Sequence, residues 1–474
     1  MPHNRQVYLL DPQEFSPETI AVTFAKTSRS PESFREIAAG LTDEKSAEFN
    51  EKWVVGYGHA SVAEHAVLHI AAENISRLAV EVLESNRLAS YTEKSTRYQK
   101  WGPDDFYTPA ELTDSPYLKT YLNTCQTLLK IYQESLPAIR QTVVEQFPRK
   151  EGESETAWER RIRSDYIDVC RFLLPSAALA NVGMTINARA LEHALCKMLS
   201  HPLAEVRDLG EEIRQASIAR LPTLIKYVKP LPYLIQTERE LSQSAATMRS
   251  NPANFDWCQL ISIDSKAESR VLAAALYRFG NIGYAQAIDF VEQASPSKRQ
   301  EIAYLLLGSL DEHTIPLREL EHSTFTFDVI LDQGAYFELK RHRMMTQSPQ
   351  ALTPYLGYAT PKLFSTAGLS KAYHSAMEIA RQAYDQIAKF SPTVAAYVIP
   401  NGFNRRVLLT MNLRSAIHFV NLRSSPKAHF SIRRVALRIG ELIRSNLPLL
   451  GQYIRMNQSE SIQEIEQKYF EAMK

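Results

Sequence analysis

The sequence predicts an α/β (α+β) chain made of two fused repeats, each helix-rich with a modest sheet, and three observations carry that reading. Two pairs of sequence blocks recur in the same order along the 474 residues. In each copy a short alternating apolar run gives way to a run at helical period. With 45% hydrophobic and 23% charged residues, and only 16 Gly and 24 Pro, the chain has apolar surface enough for sizeable cores and lacks the bias of a disordered polymer.

The repeat sets the domain organisation. Glu64-His65 matches Glu321-His322 at an offset of 257, and Arg87 matches Arg343 at 256. The stretches LLPSAALANVGMTINARALEHAL and VIPNGFNRRVLLTMNLRSAIHFV share Pro175/Pro400, Asn187/Asn412, Arg189/Arg414 and His193/His418, all at an offset of 225. A fixed order of such coincidences marks a duplication, with repeats at 1–235 and 255–474. The fall from 256 to 225 places about 31 extra residues between the blocks of the first repeat, within 101–160. That insertion holds a helical run, LKTYLNTCQTLLKIYQESLPAIRQTVVEQF, then a charged stretch, RKEGESETAWERRIRSD, that reads as a solvated loop or helix end. The segment from about Lys229 to Asn254 matches neither repeat and is the candidate linker.

Within the second copy Phe325, Phe327 and Val329 alternate with Thr and Asp as a half-buried strand, and Ala335 to Arg343 follows at helical period. The first copy offers a strand over His65 to Ala71 and a helix over Ser76 to Arg87. Asn187 and Asn412 open helical patterns, where a side-chain oxygen caps free N–H groups. His65 and His322 follow Glu and precede apolar strands, a setting that reads as a satisfied core histidine rather than a catalytic one. Cys170 and Cys196 stand in apolar helical contexts and read as inert core thiols. With Cys125 and Cys258 they form no CxxC, a pattern suited to a reducing cytoplasm.

Fifty-four Lys+Arg against 53 Asp+Glu leave a formal charge of +1, so no global field draws in nucleic acid or an anionic membrane. No run of 18 apolar residues offers a membrane span. Any anion site is local and suits a small molecule. Arg341-His342-Arg343 gathers two guanidiniums and an imidazole in one turn, fit for a phosphate or an electron-rich ring, or else for a solvated basic helix end. In the stretch 90–98, Ser95 and Arg97 could cradle a phosphate while Glu93 accepts from a ring N–H or a sugar hydroxyl; an ordinary polar loop is the other reading. Asn187-x-Arg189 and Asn412-x-Arg414 open helices whose free N–H groups favour a diphosphate, although for one copy taken alone a capped helix with an exposed Arg is the better reading. No HExxH, paired CxxC, P-loop or GxGxxG occurs, so metal, Walker-type and Rossmann readings find no support.

These residues resemble the flavin-dependent thymidylate synthases, whose signature is Arg-His-Arg followed by seven residues and Ser, preceded by His…Glu-His and followed by Asn-x-Arg…His. The resemblance covers most of 1–235 and 255–474 and implies two thymidylate-synthase-complementing repeats. It implies reductive methylation of dUMP to dTMP with FAD, NADPH and methylenetetrahydrofolate, without a cysteine nucleophile. Neither repeat keeps the full pattern. The first has Ser85-Asn86-Arg87 in place of Arg-His-Arg but keeps Ser90, Glu93, Ser95, Arg97 and Tyr98; the second keeps Arg341-His342-Arg343 but carries Pro349, Ala351 and Thr353 opposite Glu93, Ser95 and Arg97. His59, on the folate side with Ser61 beside it, has Pro316 as its counterpart, and Arg171, at a phosphate-binding position, has Ala396; conversely Arg423, at the position that holds the pyrimidine, has Met198.

Such complementary losses imply one composite site. The resemblance gives Glu93, Ser95, Arg97, Tyr98, Arg171 and Arg423 to the nucleotide, with Ser95 and Arg423 as catalytic residues. It gives His59, Ser61, Arg341, His342 and Arg343 to cofactors, together with Asn187, Arg189, His193, Asn412, Arg414 and His418. Family members resemble homotetramers whose sites draw on several subunits, so two copies of this chain are expected to pair as a pseudo-tetramer. Where the family carries a nucleotide-contacting Gln, this chain holds Val82 and Glu338. That departure leaves open a paralogue acting on another pyrimidine nucleotide, and the incomplete signatures leave open a non-catalytic flavin- or nucleotide-binding protein.

Overall fold

A computed structural model describes residues 6–248, 256–311, 313–457 and 459–471. The chain forms two compact units, and these cut across the repeats read from the sequence. One comprises 1–94, 107–118 and 178–251; the other comprises 95–106, 119–177 and 252–474. Much of the stretch read as an insertion in the first repeat therefore packs with the second repeat.

The first unit is built on a three-stranded antiparallel sheet of β1 (Val67–Ser76), β2 (Ala89–Glu93) and β3 (Leu179–Asn187), with β3 in the middle. The second carries four strands, β4 (Cys258–Ile263), β5 (Thr324–Asp332), β6 (Thr346–Pro349) and β7 (Asn404–Asn412), in the order β4-β5-β7-β6. The duplication shows directly in their registers. Val67 pairs with Asn187 in one sheet and Thr324 with Asn412 in the other, at the offsets of 257 and 225 found in the sequence. Among the described residues of the first unit, β4 has no counterpart.

The second core forms where alternation puts apolar side chains on one face of β5. Phe325, Phe327 and Val329 are buried and Thr326 and Asp328 between them only partly so, the alternation the sequence predicts, and the helix Phe430–Asn446 packs against β4 and β5. The helix expected over Ala335 to Arg343 spans only Gln333–Leu339. Lys340 ends it, and turns through His342 and Met345 bring the chain round so that β6 can pair with β7. In the first unit β1 begins at Val67, not His65, and the helix after it is Arg77–Leu83, short of the expected Arg87. Neither His65 nor His322 is a core residue: both are exposed in single turns ahead of their strands, where their rings lie 4.9 Å from Phe24 and 6.4 Å from Tyr284. The period of a strand fixes alternation, and these residues precede the strand.

Asn187 and Asn412 cap as the sequence predicts, accepting from the backbone N–H of Ala190 and Ser415. The long helical run forms Leu118–Gln146. The charged stretch after it is a loop only to Ser154, which caps a second helix, Glu155–Cys170. Most of the candidate linker is also helical, Pro232–Ala246, with no buried residue; residues 249–254 of it lie outside the described residues. Cys170 is buried and Cys196 half-buried. Burial pushes the Cys125 thiol up to about 12 and raises that of Cys170 as well, so neither offers a thiolate near neutral pH. Among the described residues, no helix is long and apolar enough to cross a membrane. Phe327→Ala, which removes a fully buried ring, is expected to destabilise the second unit by about 3–5 kcal/mol. Urea unfolding followed by circular dichroism should show a lower midpoint for that unit with little change in slope.

Candidate functional site

Helix ends and the loops joining them bring a buried cluster of charged side chains together inside the second unit. Arg171 terminates the helix Glu155–Cys170 and is held by its backbone, whose carbonyl accepts from Asn401 Nδ2 at 3.0 Å. The neighbouring Gly402 N–H donates to the Phe172 carbonyl at 2.9 Å. A Cβ on Gly402 would lie 2.5 Å from the Tyr373 hydroxyl, so this close passage requires glycine. Glu338 sits on the helix Gln333–Leu339, whose start is fixed by Asp332 accepting from Ala335 N–H at 2.8 Å. Arg423 ends the helix that Asn412 begins.

These three meet. Arg171 Nη2 donates to Glu338 Oε1 at 3.2 Å, and Arg423 Nη1 donates to Glu338 Oε2 at 3.0 Å. Arg423 Nη2 adds a bond to the Glu338 carbonyl at 3.3 Å. Arg171 is 3% exposed and Glu338 6%, so the carboxylate spans two guanidiniums with little water to screen them. Arg171 Nη1 reaches Thr96 Oγ1 at 3.3 Å, while its Nε is buried with no hydrogen-bond partner among the described residues.

Arg97 is held separately. Its Nε and Nη2 grip Asp168 at 2.8 and 2.7 Å, and Nη1 donates to the Lys427 carbonyl at 2.9 Å. Burial pushes the Asp168 carboxyl up, against the pull of Arg171 and of Arg97. Ser95 Oγ accepts from Arg97 N–H at 3.2 Å and so shapes the loop, and Tyr98 is exposed. Glu93 lies in the first unit at the end of β2, in a buried ion pair with Arg77 at 3.0 Å.

Of the Arg-His-Arg run, Arg341 is exposed, Arg343 half-buried and His342 buried. His342 Nε2 accepts from Arg423 Nε at 2.9 Å, which places the ring proton on Nδ1. Its ring meets Phe419 edge-on at 4.9 Å and lies 5.6 Å from that of His418, which is exposed. Burial, then the charge of Arg423, pushes His342 down to about 3, so the imidazole is neutral and free to accept.

The two Asn-x-Arg motifs behave alike in their separate units. Arg189 pairs with Glu64, and Arg414 pairs with Glu321 at 2.8 Å while donating to the Pro316 carbonyl. His193 is exposed on its helix. His59 and Ser61 line a cleft of about 640 Å³ in the first unit with Phe24, Arg29, Trp53 and His65.

Three participants carried no sequence signal of their own. Asp168 stands three residues before Arg171, the spacing of one helical turn, which could have suggested a shared face. Asn401 acts on Arg171 through backbone. His429, fully buried, has Nδ1 accepting from Ser431 N–H and Nε2 3.1 Å from the Asp168 carbonyl, to which it donates.

The depressed pKa of His342 has a definite consequence for stability. Between about 6.5, the unfolded value, and about 3, the unfolded chain binds the proton that the folded ring refuses, so stability falls as pH falls through that window. At pH 4 this one group is expected to cost on the order of 3 kcal/mol. Denaturant midpoints taken from pH 7 to 4 should fall less steeply in His342→Gln, whose amide oxygen can still accept from Arg423.

Comparison with known proteins agrees with this repeated architecture. The family described as thymidylate synthase complementing protein matches twice, over residues 11–223 and 259–449. A UPF0159 protein of Chlamydia muridarum is 29% identical over 430 residues, covering 87% of this chain and 81% of the relative. A UPF0159 protein of Thermoplasma acidophilum is 25% identical over 453 residues, covering 87% and 89%. A flavin-dependent thymidylate synthase of Clostridium tetani is 28% identical over 221 residues, which is 45% of this chain and 83% of that enzyme. Two matches that together span most of the sequence, one in each half, make the chain a member of the thymidylate synthase complementing protein family in tandem form.

Proposed function

We propose that the protein is a flavin-dependent thymidylate synthase that methylates dUMP to dTMP, using methylenetetrahydrofolate and NADPH, at one composite site. The observation that carries this reading is the convergence of Arg171 from the first repeat with Glu338, His342 and Arg423 from the second. Each repeat supplies what the other lacks, and the contributions meet in one compact unit of a single chain.

In this reading Arg171 takes the nucleotide phosphate and Arg423 the pyrimidine. Arg423 is positioned for that by His342 at Nε and by Glu338 at its terminal nitrogens, which still leaves one N–H on each for a ring carbonyl. Preorganised donors of this kind typically contribute about 2.7–4 kcal/mol to a transition state in which charge develops on oxygen. Ser95 and Arg97 shape the wall beside Arg171. The exposed Arg341, the half-buried Arg343 and the exposed His418 ring form a donor-rich rim that fits the diphosphate and ring edges of FAD. When bound, FAD supplies the hydride chemistry that no side chain here can perform. A neutral His342 keeps Arg423 in place without adding a second positive charge behind it.

Purified protein is expected to be yellow and to oxidise NADPH faster once dUMP is added, with dTMP as product in the presence of methylenetetrahydrofolate. A colourless protein, or one whose NADPH oxidation ignores dUMP, would end this reading. Arg171→Ala and Arg423→Ala should each lower turnover by at least a hundredfold. Mixing the two variants should restore nothing, because both side chains come from one chain; recovered activity would show sites completed between chains.

A further inference from the structure

The least settled group in the cluster is Arg171. A guanidinium carries five N–H donors. Arg171 makes two hydrogen bonds, at 3.2 and 3.3 Å, both longer than the 2.7–2.9 Å usual for a charge-assisted bond, and its buried Nε makes none among the described residues. Arg97 is the opposite case, with all three of its nitrogens engaged by bonds of 2.7–2.9 Å to Asp168 and the Lys427 carbonyl. A buried cation with donors to spare binds an anion more strongly than one already gripped on both sides. The only carboxylate hydrogen-bonded to Arg171 among the described residues is Glu338, and it is shared with Arg423.

We propose that Glu338 is a specificity-determining residue: a resident counter-anion that a nucleotide's phosphate must displace from Arg171, leaving the carboxylate to Arg423 alone. The inference rests on the function proposed above and adds the selection rule. A single carboxylate charge divides itself between two guanidiniums. A phosphate monoester dianion brings twice that charge and more oxygens, so it can replace the carboxylate and fill the donors that Arg171 leaves unused. A neutral nucleoside brings no anion for the exchange and is turned away. Glu338 thus weakens all anion binding but raises the discrimination between a nucleoside monophosphate and its nucleoside.

Calorimetric titration of the full chain with inorganic phosphate, dUMP and deoxyuridine tests this. Glu338→Gln, close to isosteric, should tighten phosphate and dUMP binding at least tenfold. Phosphate should then raise the melting temperature of Glu338→Gln by more than it raises that of the wild type. In the double variant Glu338→Gln with Arg171→Met the gain should vanish. Glu338→Asp, one methylene shorter and able to span only one guanidinium, should show part of the gain and guards against a Gln variant that does not fold. If phosphate binds the Gln and Asp variants no more tightly than the wild type, or if the gain survives loss of Arg171, the proposal is overturned. Tighter phosphate binding in a protein that never converts dUMP would sink the proposed function and leave this inference standing; turnover of dUMP with unchanged phosphate affinity would do the reverse.

Discussion

A guanidinium removed from water must be paired, and that constraint organises the second unit around Arg171. Its carboxylate partner, Glu338, comes from 167 residues further along the chain and is itself shared with Arg423. Removing one member of a buried pair typically costs about 3–5 kcal/mol, whereas replacing the whole set with apolar residues is often neutral or stabilising. A cluster of three arginines and two carboxylates therefore contributes little net stability for its complexity. Its value lies in geometry. The set holds its charges in place only when the end of the helix Glu155–Cys170, the helix Gln333–Leu339 and the end of the helix Leu413–Arg423 are all docked. An arrangement that is costly to disrupt and gives little stability belongs to a binding site more readily than to a core.

Most of the scaffold was legible because duplication leaves its mark in the linear order of residues. The offsets of 257 and 225 between matched motifs reappear as the registers of β1 with β3 and of β5 with β7. The Asn caps were readable for a local reason, since a cap acts on the N–H groups of its own first turn. The limits were set by what lies far away in sequence. Whether His65 faces a core depends on where its strand begins, and two residues of drift put it in a turn. That Arg97 is claimed by Asp168, and that His429 donates to the carbonyl of that same residue, follows from packing between segments 71 and 261 residues apart, for which periodicity gives no warning. Glu338 was visible as a departure from the family pattern, but the bridge it makes was not, because nothing local to it names Arg171 as a neighbour.

The same helix ends in the two units show how one ancestral arrangement can settle in two ways. The parts that hold each scaffold together have kept their chemistry: Glu64 with Arg189 and Glu321 with Arg414 make equivalent ion pairs, and both Asn caps are intact. The parts that the proposed function assigns to a ligand have diverged. Where the second unit sets Arg423 against His342, the first has Met198, and its neighbour Lys197 donates instead to Ser85 and Asn86, the counterparts of Arg341 and His342. Burial lowers Lys197 to about 8, a cation held by two neutral oxygens and no carboxylate. An ammonium satisfied by its own unit's side chains has no geometric call for a planar, bidentate partner, unlike the guanidinium of Arg423 in the other unit. Divergence has thus removed from one unit the flat, multi-donor surface suited to a nucleotide and concentrated it in the other, where segments of both repeats supply it.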